Sequence, residues 1–303
     1  LAQPVVPGIR KIGLALSGGT LKSVAHIGVI DALNELGIHP THVAGTSAGS
    51  LIATLYAHGY SDSDFKELYT HFSLWRIIDY GFPVASSLWT WSVSHFHKSL
   101  NSNPPHGVIR GKRLQKFFRE MVGDRPDQIP YYIIATDLIS GNPVVFSNDK
   151  EAIEKRDAQA IGDLATCITG SCALPGVFSP VAIDKWLLTD GAFRHYVPVE
   201  VLRKAGCTTI IAVNLYKLKP NWRPLTAIHV LARSYEILLQ QSIEDETQGD
   251  DVLLLTPQVD STVNVSYRNL HTYVHAGKRS VYEKSRELST IMDKTVTTKW
   301  SYK

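Results

Sequence analysis

Apolar and polar positions in the first sixty residues switch between two periods. Lys11 to Leu16 is a short apolar run, and Ser23 to Leu36 has helical spacing that ends at Gly37. His42 to Ala44 is apolar again, and Ser50 to His58 is a second apolar helix that stops at Gly59. Strand, helix, strand, helix predicts parallel strands, because a return through a helix re-enters the sheet in the same direction. From Phe65 to Asn103 the pattern loosens into an aromatic-rich stretch with Trp75, Tyr80, Phe82, Trp89, Trp91 and Phe96, read as helices plus a loop. Those aromatics suit a lid or interfacial patch and suit core packing equally well.

Gly111 to Val122 resumes helical spacing, with Leu114, Phe117, Phe118 and Met121 on one side and Lys112, Arg113, Lys116 and Arg119 on the other. Tyr131 to Ala135 and Pro143 to Ser147 read as strands across Ser140-Gly141-Asn142. Ala158 to Cys172 reads as mostly helical, ended by Leu174-Pro175-Gly176. Val181 to Ile183 and Trp186 to Thr189 form a hairpin about Asp184-Lys185 that delivers Asp190-Gly191-Ala192 at a strand end. Beyond the strand Thr209 to Asn214 come a helix near Leu225 to Glu246, a strand at Val252 to Thr256, a helix near Tyr267 to Leu288 and a polar tail over 291–303. The expected fold is α/β, a single three-layer α/β/α domain over 1–303 with a mainly parallel central sheet. Its motif-bearing part covers about 11–215, and helices and a strand over 225–290 close it.

Composition narrows the function classes. A chain of 303 residues with a net charge of +3 and interspersed signs has no basic block to follow a phosphate backbone, so nucleic acid is not expected as a partner. Cys167, Cys172 and Cys207 are odd in number and lack C-x-x-C spacing, which argues against a disulfide framework or a metal site and mildly favours a reducing compartment. No apolar run is long enough to span a bilayer, and Leu1-Ala2-Gln3-Pro4 lacks the features of a signal peptide. A soluble domain is expected, cytoplasmic or peripheral to a membrane. Secretion stays open, because the first residue is not methionine.

Chemistry is concentrated in Gly45-Thr46-Ser47-Ala48-Gly49, a G-x-S-x-G set between a short strand and an apolar helix. Glycines two residues either side of a serine let the chain turn sharply, so that the hydroxyl projects above a helix N-terminus. Taken alone, the motif also fits a plain helix-capping turn; the strand and helix around it favour a nucleophile elbow. Ser17-Gly18-Gly19-Thr20-Leu21-Lys22 adds clustered backbone N–H groups ahead of another helix, as an oxyanion hole requires. It is not a nucleotide-binding P-loop, since Leu21 rather than glycine precedes Lys22.

Leu14 to Gly19, Lys22, Ala25-His26-Ile27-Gly28-Val29 and the Gly45 to Gly49 elbow, in this order and spacing, resemble the patatin-like phospholipases. The resemblance continues through Arg110-Gly111, Ala135-Thr136-Asp137-Leu138, Ser171 to Pro180, Asp190-Gly191-Ala192 and Val197-Pro198-Val199, to about Leu215. It implies a serine lipid acyl hydrolase of phospholipase A, lysophospholipase or esterase type, with Ser47 as nucleophile and Asp190 as general base. It further implies an oxyanion hole from the backbone of Gly18, Gly19 and Thr20, and Lys22 as loop support or a phosphate contact. No histidine, metal or cofactor is implied, and the partner is an acyl-ester lipid met in transient contact with a membrane surface. The chain departs from the family pattern at Thr20 and Ser23, where glycine is usual. Thr20, being β-branched, is expected to avoid positive φ, leaving the loop to reach its geometry in ordinary regions.

Two other readings compete. His195, His229, His271 or His275 would complete a Ser-Asp-His triad in an α/β-hydrolase, and His26 is more simply a packed core residue. A non-catalytic lipid-binding scaffold draws on Thr20 and Ser23. Asp137, at a strand end, rivals Asp190 as base but more simply satisfies loop amides.

Overall fold

The computed structural model describes residues 11–71, 78–80, 107–218, 220–259 and 270–297. Most of the aromatic stretch, Trp75, Phe82, Trp89, Trp91 and Phe96 included, lies outside the described residues, as do 298–303. The strands are β1 (Ile12–Leu16), β2 (His42–Thr46), β3 (Tyr131–Asp137), β4 (Pro143–Ser147), β5 (Gln159–Ala160), β6 (Val181–Ile183), β7 (Trp186–Asp190), β8 (Thr209–Val213) and β9 (Val252–Leu255). They form one sheet in the order β5-β4-β3-β2-β1-β8-β9, with β7 paired to β3 and β6 to β7. The centre, β3-β2-β1-β8-β9, is parallel throughout. The antiparallel pairs β3–β4, β3–β7 and β6–β7 lie to one side. Strands β1, β2 and β8 are buried at every position, which is why they read as continuous apolar runs rather than alternating ones.

The helices are α1 (Val24–Glu35), α2 (Ala48–Ala57), α3 (Asp62–His71), α4 (Lys112–Val122), α5 (Lys150–Glu154), α6 (Leu164–Ser171), α7 (Val199–Lys204), α8 (Ala227–Glu246), α9 (Leu270–Glu283) and α10 (Ser285–Thr297). Successive side chains of a strand point to opposite faces, so β1 feeds two cores. Leu14 and Leu16 pack with Ile27, Leu33, Ile52, Leu55 and Phe117 on one face. Ala15 faces the other with Ala44, Ala212, Val197, Leu202, Leu239 and Ile243. The three-layer arrangement is therefore as expected from sequence. Helices α1 and α9 touch through glycine: a Cβ on Gly28 would sit 1.9 Å from the Val274 carbonyl oxygen, and one on Gly277 would sit 2.0 Å from that of Ala25.

Several boundaries differ from the sequence reading, and the helix expected near Tyr267 to Leu288 is divided between α9 and α10. β2 runs on to Thr46 and α2 opens at Ala48, so the turn between them narrows to Ser47. The segment 158–172 divides into β5 and α6. The polar tail is helical as far as Thr297, because Leu288 is buried and Ile291 and Met292 pack on the core at helical spacing among charged neighbours.

Candidate active site

Ser47 stands between β2 and α2 with φ 53° and ψ −132°, a left-handed conformation costing about 1–3 kcal/mol for a residue with a Cβ. Gly45 and Gly49 permit it by close approach rather than by positive φ of their own. A Cβ on Gly45 would lie 2.3 Å from the Gly49 oxygen, and one on Gly49 would lie 2.4 Å from the Ser17 oxygen. The elbow thereby folds onto itself and onto the end of β1. Its strained peptide is held from β3 and α6: the Ser47 N–H donates to Ser171 Oγ at 2.9 Å, and Ser171 Oγ donates to the Ile134 carbonyl at 2.5 Å. The Ser50 hydroxyl accompanies it, donating to the Ser47 carbonyl at 2.6 Å.

Asp190 ends β7, opposite Ala135 on β3, so the antiparallel excursion β6–β7 carries it to the elbow. Its N–H donates to the Ala173 carbonyl at 3.1 Å, and its Oδ1 accepts from the Ala192 N–H at 2.9 Å. The Ser47 hydroxyl lies within hydrogen-bonding reach of the carboxyl group. Burial outweighs both hydrogen bonds and pushes the Asp190 pKa up from 3.8 to about 6. A carboxylate so placed binds a proton far more readily than one in water, as a base working near neutral pH requires.

The loop after β1 meets the elbow directly, since a Cβ on Gly18 would fall 3.2 Å from that of Ser47. Its carbonyls are all engaged by the protein. Ser17 O accepts from His26 Nε2 at 2.8 Å, Gly18 O from the Tyr196 hydroxyl at 2.8 Å, and Gly19 O from the Lys22 N–H at 3.0 Å. In a trans peptide the N–H points opposite to its carbonyl, so those bonds turn the N–H groups of Gly18, Gly19 and Thr20 the other way. Thr20 corrects the sequence expectation, because it adopts φ 51°. Its hydroxyl donates to Gly19 O at 2.7 Å, and the 3-10 turn Thr20–Ser23 that it opens is closed by Lys22, which together offset the strain. The Lys22 N–H is the donor that closes this turn on Gly19. Ser23 is buried, and its hydroxyl has no partner among the described residues.

An apolar cavity of about 290 Å³ opens beside Ser47, walled by Leu21, Val24, Ile27, Leu51, Ile52 and Phe117. No histidine lines it among the described residues. His26 is fully buried and bonded to Ser17 O, with a pKa lowered to about 4 by desolvation, so it is a neutral strut for the loop. His195 pairs with Glu246 at 3.2 Å and lines a different, polar pocket, while His229, His271 and His275 are exposed. Asp137 accepts from Leu187, Ile139 and Ser140. Burial raises its pKa, but these bonds outweigh burial and hold the carboxyl below the usual range. It therefore acts as a satisfied loop anchor.

Ser171, Cys172 and Tyr196 were missed as site residues. Ser171 and Cys172 fall within a block of the family resemblance, but nothing in their local pattern tells that they reach Ser47. Cys172 lines the cavity with its thiol among Ser47, Ser50 and Asp190, and burial pushes its pKa upward.

A strained serine at a strand–helix elbow, a buried carboxyl group and a glycine loop thus meet at one apolar cavity on an α/β sheet. The patatin-like phospholipase model matches residues 14–203, and the chain belongs to that family. It is 28% identical over 210 residues to an uncharacterized NTE family protein of Mycobacterium tuberculosis, covering 68% of this chain and 49% of that protein. It is 27% identical over 216 residues to the lysophospholipase NTE1 of Saccharomyces cerevisiae, covering 68% of this chain and 11% of that protein. The chain therefore spans about half the length of the mycobacterial relative and far less of the yeast one. VipD from Legionella pneumophila has a similar fold, with a TM-score of 0.50 at 14% identity over 92% of this chain and 67% of that one.

Proposed function

We propose that this chain is a lipid acyl hydrolase that cleaves acyl esters through a Ser47 acyl-enzyme, with Asp190 as general base. The observation that carries this reading is the strained Ser47 at the mouth of an apolar cavity, with its hydroxyl in reach of a carboxyl group whose pKa is raised to about 6. Family membership and the name of the yeast relative support phospholipid or lysophospholipid esters as the substrate class.

The acyl chain lies in the cavity, and Ser47 Oγ attacks the ester carbonyl carbon while its proton passes to Asp190. The oxygen that becomes negative is met by N–H groups of Gly18, Gly19 and Thr20 and by the N-terminus of α2. Collapse of the tetrahedral intermediate breaks the bond to the alcohol, which leaves with the proton from Asp190. Water then attacks the acyl-enzyme, giving its proton to Asp190, and the fatty acid departs as Ser47 is restored.

The test is covalent labelling by a fluorophosphonate probe, read by intact mass. One adduct on the wild type, none on Ser47→Ala and labelling slowed about a hundredfold or more in Asp190→Asn is the expected result. Undiminished labelling of Ser47→Ala sinks the assignment, and an unlabelled wild type makes a non-catalytic scaffold the better reading.

A further inference from the structure

Large apolar side chains that face solvent are spread unevenly over this molecule. Ile139 is 71% exposed just past the end of β3, Phe193 is 43% exposed just past Asp190, and Leu225 and Leu231 are 81% and 72% exposed after β8. Val177 is exposed as well, and its carbonyl holds Ile109, a wall residue of the cavity. All of these follow the edge where β1, β2, β3 and β8 end and where Ser47 and Asp190 meet. Among the described residues, Leu36 and Tyr282 are exposed at the opposite end, where the Tyr282 hydroxyl meets Glu35.

Helix α8 adds a second peculiarity, being apolar on two sides. Tyr235, Leu239 and Ile243 face inward, while Val230, Leu231, Ile237 and Leu238 face solvent. A helix of this kind needs an apolar partner on its outer side too. The Phe193–Tyr235 ring contact at 4.7 Å ties α8 to the turn after Asp190, and Trp222 beneath Arg233 ties the preceding loop to it.

Charge indicates what covers this face. Arg194, Lys217 and Arg223 are exposed beside Phe193 and Leu225, whereas Glu244 and Asp245 gather at the far end of α8. The edge is thus apolar beside Phe193 and Leu225 with these basic groups around it; Asp184 is exposed at the β6–β7 turn, and Glu236 is held by Arg233. A second copy docked by the same patch would set the basic groups against themselves. Anionic headgroups over acyl chains match both features.

We propose that the edge bearing Ser47 and Asp190, together with the first turns of α8, is the face by which this protein lies on an anionic lipid surface; the proposal rests on the lipid hydrolase reading. Leu225 and Leu231 enter the acyl region while Lys217 and Arg223 meet headgroups, so an ester reaches the cavity without crossing bulk water.

The experiment is co-sedimentation with vesicles of phosphatidylcholine and phosphatidylglycerol in equal parts, or of phosphatidylcholine alone. It compares wild type, Leu225→Asp/Leu231→Asp and Lys217→Glu/Arg223→Glu, with hydrolysis of the water-soluble ester p-nitrophenyl butyrate measured alongside. All four positions are exposed, so folding is retained, as thermal melting will register. The leucine pair is expected to lower partitioning at least about tenfold, and the charge pair to remove the preference for anionic vesicles, with p-nitrophenyl butyrate turnover unchanged. A wild type that stays in solution, or variants that partition like it, overturn the proposal. A dimeric wild type made monomeric by the leucine pair with partitioning unaltered assigns the face to a second copy and also overturns it. A wild type inert toward p-nitrophenyl butyrate whose partitioning still depends on Leu225 and Leu231 leaves the docking face standing and removes the hydrolase reading instead.

Discussion

Asp190→Asn is expected to abolish turnover and, at neutral pH, to make the protein more stable. An acid whose pKa rises from 3.8 to about 6 on folding binds more protons in the folded than in the unfolded state between those values. Stability from this group is therefore complete below about pH 3.8 and declines as pH rises through about 6, reaching a penalty of about 3 kcal/mol at pH 7. Asparagine removes the charge, and its Oδ1 still accepts from the Ala192 N–H, so most of that penalty is relieved. For a chain of this size that corresponds to a melting temperature higher by several degrees, about 5 °C or more. The assay is urea unfolding of both proteins at pH 7, pH 5 and pH 4. The advantage of Asp190→Asn should shrink from about 3 kcal/mol to about half that at pH 5 and to a few tenths near pH 4. Other titrating groups cancel in the difference. A variant that is less stable at pH 7, or an advantage that does not vary with pH, refutes the reasoning. Wild-type kcat/KM should rise with pH through about 6, as ionised Asp190 becomes available.

Ser171→Ala removes the acceptor that holds the Ser47 N–H at 2.9 Å. Loss of about 1–3 kcal/mol in unfolding free energy is expected, with fluorophosphonate labelling of Ser47 slowed about tenfold or more. Thr20→Gly relieves a threonine held at φ 51°. A gain of about 1 kcal/mol in urea unfolding, with labelling retained, is expected; a loss would mean that the Thr20 hydroxyl bond outweighs the strain. His26 has a folded pKa of about 4 against 6.5, so the stability it supports is complete above about pH 6.5 and falls as pH drops toward about 4, by about 3 kcal/mol in all. His26→Asn should remove that acid window in urea titrations while lowering stability at pH 7 through the altered bond to Ser17.

Where local pattern is decided by neighbours in the chain, the sequence was sufficient. The buried strands β1, β2 and β8, the helices between them and the G-x-S-x-G turn are short-range features, so apolar period and glycine spacing marked them and placed Ser47 on a strand–helix elbow. The family motifs likewise pointed to Asp190, Gly18, Gly19 and Thr20. Tertiary structure decided what depends on distant segments meeting. The antiparallel pairing of β7 with β3 sets Asp190 beside Ser47, and Ser171 crosses more than a hundred residues of sequence to hold the strained peptide. His195, a candidate triad base on paper, lies against Glu246 instead, and His26, read as a packed core residue, is bonded to Ser17. Thr20 adopts a left-handed conformation against its own preference because the loop around it is bonded from three sides. The pKa of Asp190 was equally invisible in the sequence, because burial is a property of the assembled fold and of no residue in the chain.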